Sequence, residues 1–144
     1  EYLTHFALWA IMGSPLIMGC DLRKASEETK KTLLNKDLIA INQDLEARGA
    51  YVIKPLPDVY NENEAFILVK PLADGDLAIG IFNFSDTQRE LSLEFWDMGI
   101  PYAAGVSLSL HDCITGEELG EFTERFAPVV PSHGCVVVRA HLAE

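Results

Sequence analysis

Two His-x-Cys pairs carry the most suggestive chemistry in the sequence: His111-Asp112-Cys113 and His133-Gly134-Cys135. A spacing of two along a strand puts both side chains on one face. Two such strands could converge two imidazoles and two thiolates on a tetrahedral zinc ion. A Cys113–Cys135 disulfide is another arrangement of the same residues. The plain reading is stronger. His133 sits in a Ser-His-Gly turn, and Cys135 opens an apolar strand where a cysteine serves as a small buried hydrophobe. Three cysteines are also too few for a disulfide scaffold. Neither a metal nor an organic cofactor is expected.

Carboxylates offer the next chemistry. Cys20 and Asp21 follow the apolar run Leu16-Ile17-Met18, and Asp21 can cap the turn, pair with Arg23 or border a pocket. Asp37, Asp44 and Glu46 belong to a helical stretch, where carboxylates are ordinarily solvated. Glycosidic hydrolysis needs two carboxyl groups flanking one bond, and nothing in the sequence aims two of these at one place. Tyr51, Tyr60, Phe66, Phe82, Phe84, Phe95, Trp96 and Tyr102 could include a sugar-stacking platform, with Trp96 the best placed, although aromatics at strand spacing usually form core. There is no glycine-rich phosphate loop and no Ser-His-Asp order.

The elements that must hold these residues divide in two. Leu3–Met12 has apolar positions at helical spacing and an apolar face wide enough to predict a largely buried helix. Gly13-Ser14-Pro15 ends it. Leu16-Ile17-Met18 lacks alternation, the pattern of a strand buried on both faces in a parallel sheet. Ser26 is the expected N-cap of a second helix, with Glu27 and Glu28 at the positive end of its dipole. Leu33 and Leu34 should pack inward, and Asn35 should close that helix and open a further turn, Lys36–Ile41. After residue 50 the period changes to two. The expected strands are Tyr51–Leu56, Ala65–Leu72, Asp76–Phe84, Arg89–Phe95, Val106–Cys113, Glu121–Phe126 and Cys135–Ala140. Asp74-Gly75 and Thr115-Gly116 mark turns between them.

The 144 residues include 49% hydrophobic and 23% charged residues, a globular composition. A net charge of −11 argues against nucleic-acid partners and against an anionic membrane surface. No secretory signal is visible, and no apolar run reaches about 18 residues. The favoured compartment is the cytoplasm. Secretion stays open, because Glu1 opens inside a helix and the strand Leu16–Met18 has no sheet to join, so a larger part is expected upstream.

The residues His5–Lys24 (HFALWAIMGSPLIMGCDLRK) and Leu33–Asp44 (LLNKDLIAINQD), with Asp112-Cys-Ile-Thr-Gly and Pro131-Ser-His-Gly134 towards the end, resemble the α-galactosidases (melibiases) of glycoside hydrolase family 27. Cys113 departs from the family pattern, in which tryptophan is common. The resemblance covers nearly the whole chain. It implies an α/β fragment, the last helix-strand-helix of a (β/α)8 barrel over residues 1–48, followed over 49–144 by an all-β antiparallel sandwich of Greek-key type. It implies retaining hydrolysis of terminal α-D-galactosides, with both catalytic aspartates upstream, so no catalytic residue is assigned here and the chain alone is expected to be inactive. Cys20 and Asp21 would lie at the barrel rim, where such barrels build their active sites. The expected partner is an α-galactoside bound by the missing barrel, with a homo-oligomer left open. Other readings are a free-standing carbohydrate-binding or interaction module, and a sibling α-N-acetylgalactosaminidase or β-L-arabinopyranosidase.

Overall fold

The computed structural model describes residues 1–55 and 64–143. Leu56 and Tyr60 lie outside the described residues. Three α-helices come first: α1 (Tyr2–Met12), α2 (Glu27–Leu33) and α3 (Lys36–Asn42). Ten strands follow: β1 (Tyr51–Pro55), β2 (Ala65–Pro71), β3 (Leu77–Asn83), β4 (Arg89–Glu90), β5 (Leu93–Glu94), β6 (Ser107–Asp112), β7 (Glu118–Thr123), β8 (Arg125–Phe126), β9 (Val129–Val130) and β10 (Gly134–Ala143).

The punctuation read from the sequence sets the helix ends. Gly13 adopts a left-handed conformation and returns its N–H to the carbonyl of Ala10, while Ser14 N–H reaches that of Trp9. The Ser26 hydroxyl accepts from Thr29 N–H, and the Asn35 side chain accepts from Leu38 N–H. Asn35 also donates to the carbonyl of Cys113 at 2.8 Å, so one cap joins α3 to the end of β6.

Six strands form one antiparallel sheet in the order β1-β2-β3-β10-β6-β7. β10 inserts between β3 and β6 and so joins the β1-β2-β3 and β6-β7 parts of the sheet. The second layer consists of two short ribbons, β4–β9 and β5–β8. Between the layers lies a core built from alternate residues: Ile67 and Val69, Ile79 and Ile81, Leu108 and Leu110, Val138 and Ala140, met by Leu91, Leu93, Phe95, Phe126 and Val130. The intervening residues of the same strands are also covered. Leu68, Ala78, Phe82 and Val137 pack against Ala7, Ala10 and Ile11 of α1 and Leu38 and Ile41 of α3. The central sheet therefore has two buried faces, which is why β3 is buried almost throughout rather than alternately. Gly80 lets α1 come close. A Cβ there would lie 2.9 Å from Cδ1 of Ile11 and 2.6 Å from the ring of Phe82.

Several expectations are corrected. Leu16–Met18 pairs with no strand among the described residues, as its lack of a sheet to join led us to expect, and Ile17 is 85% exposed. An apolar run becomes a strand only where a sheet edge accepts its N–H and C=O groups, and both edges of this sheet lie elsewhere. Helix α1 is half rather than largely buried, with Trp9 and Met12 exposed, and Leu34 points to solvent. The expected strand Arg89–Phe95 is two short strands followed by a 3-10 turn, Phe95–Met98. The expected strand Glu121–Phe126 is broken at Glu124, whose φ of 65° interrupts extended backbone. Val129–Val130, too short for periodicity to detect, was not anticipated.

Candidate functional site

Each residue singled out for chemistry can now be placed. Asp21 caps a single 3-10 turn, Leu22–Lys24. Its carboxylate accepts from Arg23 N–H at 3.1 Å and is gripped by the guanidinium, Nε on Oδ1 and Nη2 on Oδ2, both at 2.9 Å. The guanidinium, and then the backbone N–H, hold the Asp21 carboxyl below its usual range. Cys20 beside it is an exposed free thiol.

The two His-x-Cys pairs do not converge. Cys113, just past β6, and Cys135, in β10, both lie on the helix-covered face of the sheet, while His133 stands in the turn before β10 rather than on a strand. The register separates them. Cys113 donates its N–H to the carbonyl of Val137, two residues beyond Cys135 on β10. Such diagonal neighbours lie about 7–8 Å apart, beyond comfortable disulfide reach, and both thiols are free. Burial pushes the Cys113 thiol up to about 12 and the Cys135 thiol up to about 11, so both stay protonated and poorly nucleophilic. Among the described residues no group of three His, Cys, Asp or Glu side chains is arranged to hold a metal.

The histidines instead tie elements together. His133, at φ 50°, contacts the Asp86 carboxylate, and its carbonyl accepts from the Thr4 hydroxyl, linking α1 to the β9–β10 turn. His111 stands between Asp37 of α3 (3.2 Å) and Glu118 of β7 (2.7 Å). The bond to Asp37, then that to Glu118, raises the His111 pKa. Because the folded value is raised, this bridge stabilises the protein fully below the unfolded value of about 6.5 and loses its effect as pH rises through the folded value. The stability difference between wild type and His111→Gln should therefore be largest in mild acid and shrink as pH rises above about 6.5. Paired thermal melts across that range check it, and a constant difference would refute the bridge.

Two residues with important contacts were not singled out in the sequence. Lys70, next to the last residue of β2, is 1% exposed, and its Nζ donates to the carbonyl of Ile41 in the last turn of α3. Asn83, at the end of β3, is fully buried. Its amide donates to the carbonyls of Thr87, Val130 and Pro131 at 2.8, 3.1 and 3.0 Å, and its Oδ1 accepts from Ser85 N–H and hydroxyl. A lysine in an otherwise apolar strand was the available signal for the first. Nothing local marked the second.

The aromatics separate by burial. Phe66, Phe82 and Phe84 form a stacked row with successive ring centroids 5.3 and 5.4 Å from Phe66, and Phe95 is core. Trp96 and Tyr102 remain 64% and 52% exposed at one end of the sandwich. Beside them a groove of about 250 Å³ is lined by residues including Phe95, Ile100, Tyr102, Val106, Thr123 and Glu124.

With the geometry in view, the chain can be set beside known proteins. Residues 1–44 match the family model described as "Alpha galactosidase A", and residues 62–140 match the one described as "Alpha galactosidase C-terminal beta sandwich domain". The chain belongs to the α-galactosidase family. A Dictyostelium discoideum relative named "Probable alpha-galactosidase" is 36% identical over 141 residues, covering 96% of this chain and 35% of its own length. Among solved structures, α-galactosidase I from Mortierella vinacea superposes with a TM-score of 0.84 at 25% identity, over 96% of this chain and 34% of that one. A family 27 β-L-arabinopyranosidase from Geobacillus stearothermophilus gives 0.81 at 25% identity, over 98% and 29%. The chain thus spans about a third of the length of the α-galactosidases it matches. No helix among the described residues is long and apolar enough to cross a membrane.

Proposed function

We propose that this chain is the C-terminal part of a retaining α-galactosidase that hydrolyses terminal non-reducing α-D-galactosyl residues. The observation that carries the reading is the match of both halves, in order, to α-galactosidase sequences. In this reading residues 1–48 complete a (β/α)8 barrel and residues 49–144 form the sandwich that braces it. The exposed apolar side chains of Ile17, Met18 and Leu22 support the first assignment, since a strand inserted into a barrel would cover them. Sheet cover by α1 and α3 supports the second, because the same helices that would belong to the barrel already bury one face of the sandwich.

The chemistry resides in two carboxyl groups roughly 5 Å apart, one a nucleophile and the other an acid/base, supplied from upstream. Asp21 and Cys20 sit at the rim of that barrel, with Asp21 shaping the loop through its grip on Arg23. The proposed compartment is the cytoplasm, with secretion the alternative. Self-association through residues 1–44 is the expected behaviour of the isolated chain.

The full-length protein should hydrolyse 4-nitrophenyl α-D-galactopyranoside with saturable kinetics and release the α-anomer first, as followed by proton NMR. Residues 1–144 alone should give no turnover. An inactive full-length protein, or β-anomer released first, would overturn the reading. The likeness to the arabinopyranosidase favours one second reading, since β-L-arabinopyranose has the ring configuration of α-D-galactose without its hydroxymethyl group. A higher kcat/KM on the aryl β-L-arabinopyranoside than on the galactoside would select it.

A further inference from the structure

Asn83-Phe84-Ser85 is the one Asn-x-Ser/Thr sequence in the chain. Such a tripeptide is the acceptor for an N-linked glycan and ordinarily reads as an exposed loop. The fold places it where no glycan fits. Asn83 is the last residue of β3 and is fully buried, and Ser85 is buried as well. Only Phe84, between them, reaches the surface.

Both reactive groups of the tripeptide are already in use. Asn83 Nδ2 donates to the carbonyls of Thr87, Val130 and Pro131. The Ser85 hydroxyl donates to Asn83 Oδ1 at 2.7 Å and to the Thr87 carbonyl at 2.9 Å. The turn before β10 closes over the same place, because the Ser132 hydroxyl and His133 N–H both donate to the Ser85 carbonyl. Glycan transfer forms a bond from Nδ2 to C1 of the first sugar, releases the lipid diphosphate of the donor and removes one of the two Nδ2 protons. The single N–H left could not serve three carbonyls drawn from two segments. The sugar would also need the space of the chain at Val130 and Pro131.

The order of synthesis decides which process comes first. Thr87 follows Asn83 by 4 residues, but Val130 and Pro131 follow it by 47 and 48. At about 5–20 residues per second, these last two emerge roughly 2–10 s after Asn83. A chain threaded into a compartment that holds an oligosaccharyl transferase and its lipid-linked donor therefore presents an open acceptor before the residues that bury it have been made. We infer that folding and N-glycosylation at Asn83 exclude one another: the folded protein carries no glycan there, and a chain glycosylated there cannot close the junction between β3 and the β9–β10 turn. The inference stands apart from the hydrolase reading. It bears on the proposed compartment, since a chain folded in the cytoplasm never meets the transferase.

The test expresses the full-length protein in yeast, with and without a secretory leader. Protease-resistant protein is separated from the retained, protease-sensitive fraction. Each is then treated with peptide N-glycosidase in heavy-oxygen water, which converts a glycosylated asparagine to labelled aspartate, and the peptide containing Asn83 is read by mass spectrometry. With the leader, label at Asn83 should be confined to the protease-sensitive fraction. Ser85→Ala removes the acceptor but also two hydrogen bonds, so its folded yield with the leader is compared with its own yield without one. That ratio should exceed the wild-type ratio about threefold or more. Label at Asn83 in protease-resistant protein would overturn the inference. So would Asn83 unmodified in every fraction of the secretory route, since burial would then outrun transfer. A Ser85→Ala ratio equal to that of wild type would overturn it too.

Discussion

Replacing Asn83 by alanine should destabilise the protein by about 4 kcal/mol, through buried polar groups that lose their partners. The side chain lies where β3 leaves the sheet, and it serves three segments at once. Its amide reaches the carbonyl of Thr87 in the following loop and those of Val130 and Pro131 at the start of the β9–β10 turn. Its Oδ1 closes the turn through Ser85. Alanine removes every one of these bonds, including the buried one to the Val130 carbonyl. Asn83→Asp should be worse at neutral pH, although it differs by one atom, because a carboxylate would then face three carbonyl oxygens away from solvent. That environment would raise the new carboxyl's folded pKa. Its destabilising charge would be relieved as pH falls through the raised value, so the Asp variant should recover relative to wild type in mild acid, while Asn83→Ala should not. Urea midpoints at unchanged m-value report both effects. A loss below about 1 kcal/mol for Asn83→Ala would mean that the turn reorganises around the gap.

Lys70→Ala should cost about 3 kcal/mol, from the lost packing of a buried side chain together with a charge-assisted hydrogen bond to a helix-end carbonyl. The ammonium group lies under α3 and donates to the carbonyl of Ile41. It also faces Asp44, just past the helix. A cation suits this place, because the C-terminal turn of a helix carries partial negative charge and unpaired carbonyls. Burial lowers the Lys70 pKa, and the charge of Asp44 acts in the opposite direction. Lys70→Met separates the two contributions of the side chain. It retains the aliphatic stem packed under the helix but loses the hydrogen bond, so it should fall between wild type and Lys70→Ala. If Lys70→Met matched or exceeded wild type in urea, the buried cation would contribute nothing net to holding α3.

Both residues lie where the sequence was hardest to read. The stretch Ala65–Pro71 has a lysine among apolar neighbours, and strand alternation alone would send that side chain to solvent. It faces a layer of helices instead. The same layer explains why β2 and β3 read as continuous apolar runs although they belong to an antiparallel sheet. In α1, the apolar face is wider than the sheet beneath it can cover, so Trp9 and Met12 remain exposed. In the groove at the end of the sandwich, Phe95 and Tyr102 were visible as aromatics, but Glu124 was not visible as a wall. Its role depends on a break in β7–β8 that no local preference announces.

What the sequence by itself determined is what short-range physics controls. Helix ends followed from Gly13, Ser26 and Asn35, because caps satisfy backbone groups within a few residues. Turns followed from Asp74-Gly75 and Thr115-Gly116, where Gly75 and Gly116 take positive φ. The change of hydrophobic period after residue 50 separated the helical segment from the sandwich. The ordered motifs of both halves pointed to the α-galactosidases. Tertiary structure alone decided the rest. The apolar burial of Cys113 and Cys135 was legible, since a cysteine beside an apolar strand serves as a small hydrophobe. Whether the pairs meet depended on the register between β6 and β10, which comes from packing residues far apart in the chain, and that register keeps them apart. The run Leu16-Ile17-Met18 has the composition of a buried strand, yet a strand exists only when another offers hydrogen bonds. Local preference proposes an element, and the long-range partner decides whether it forms.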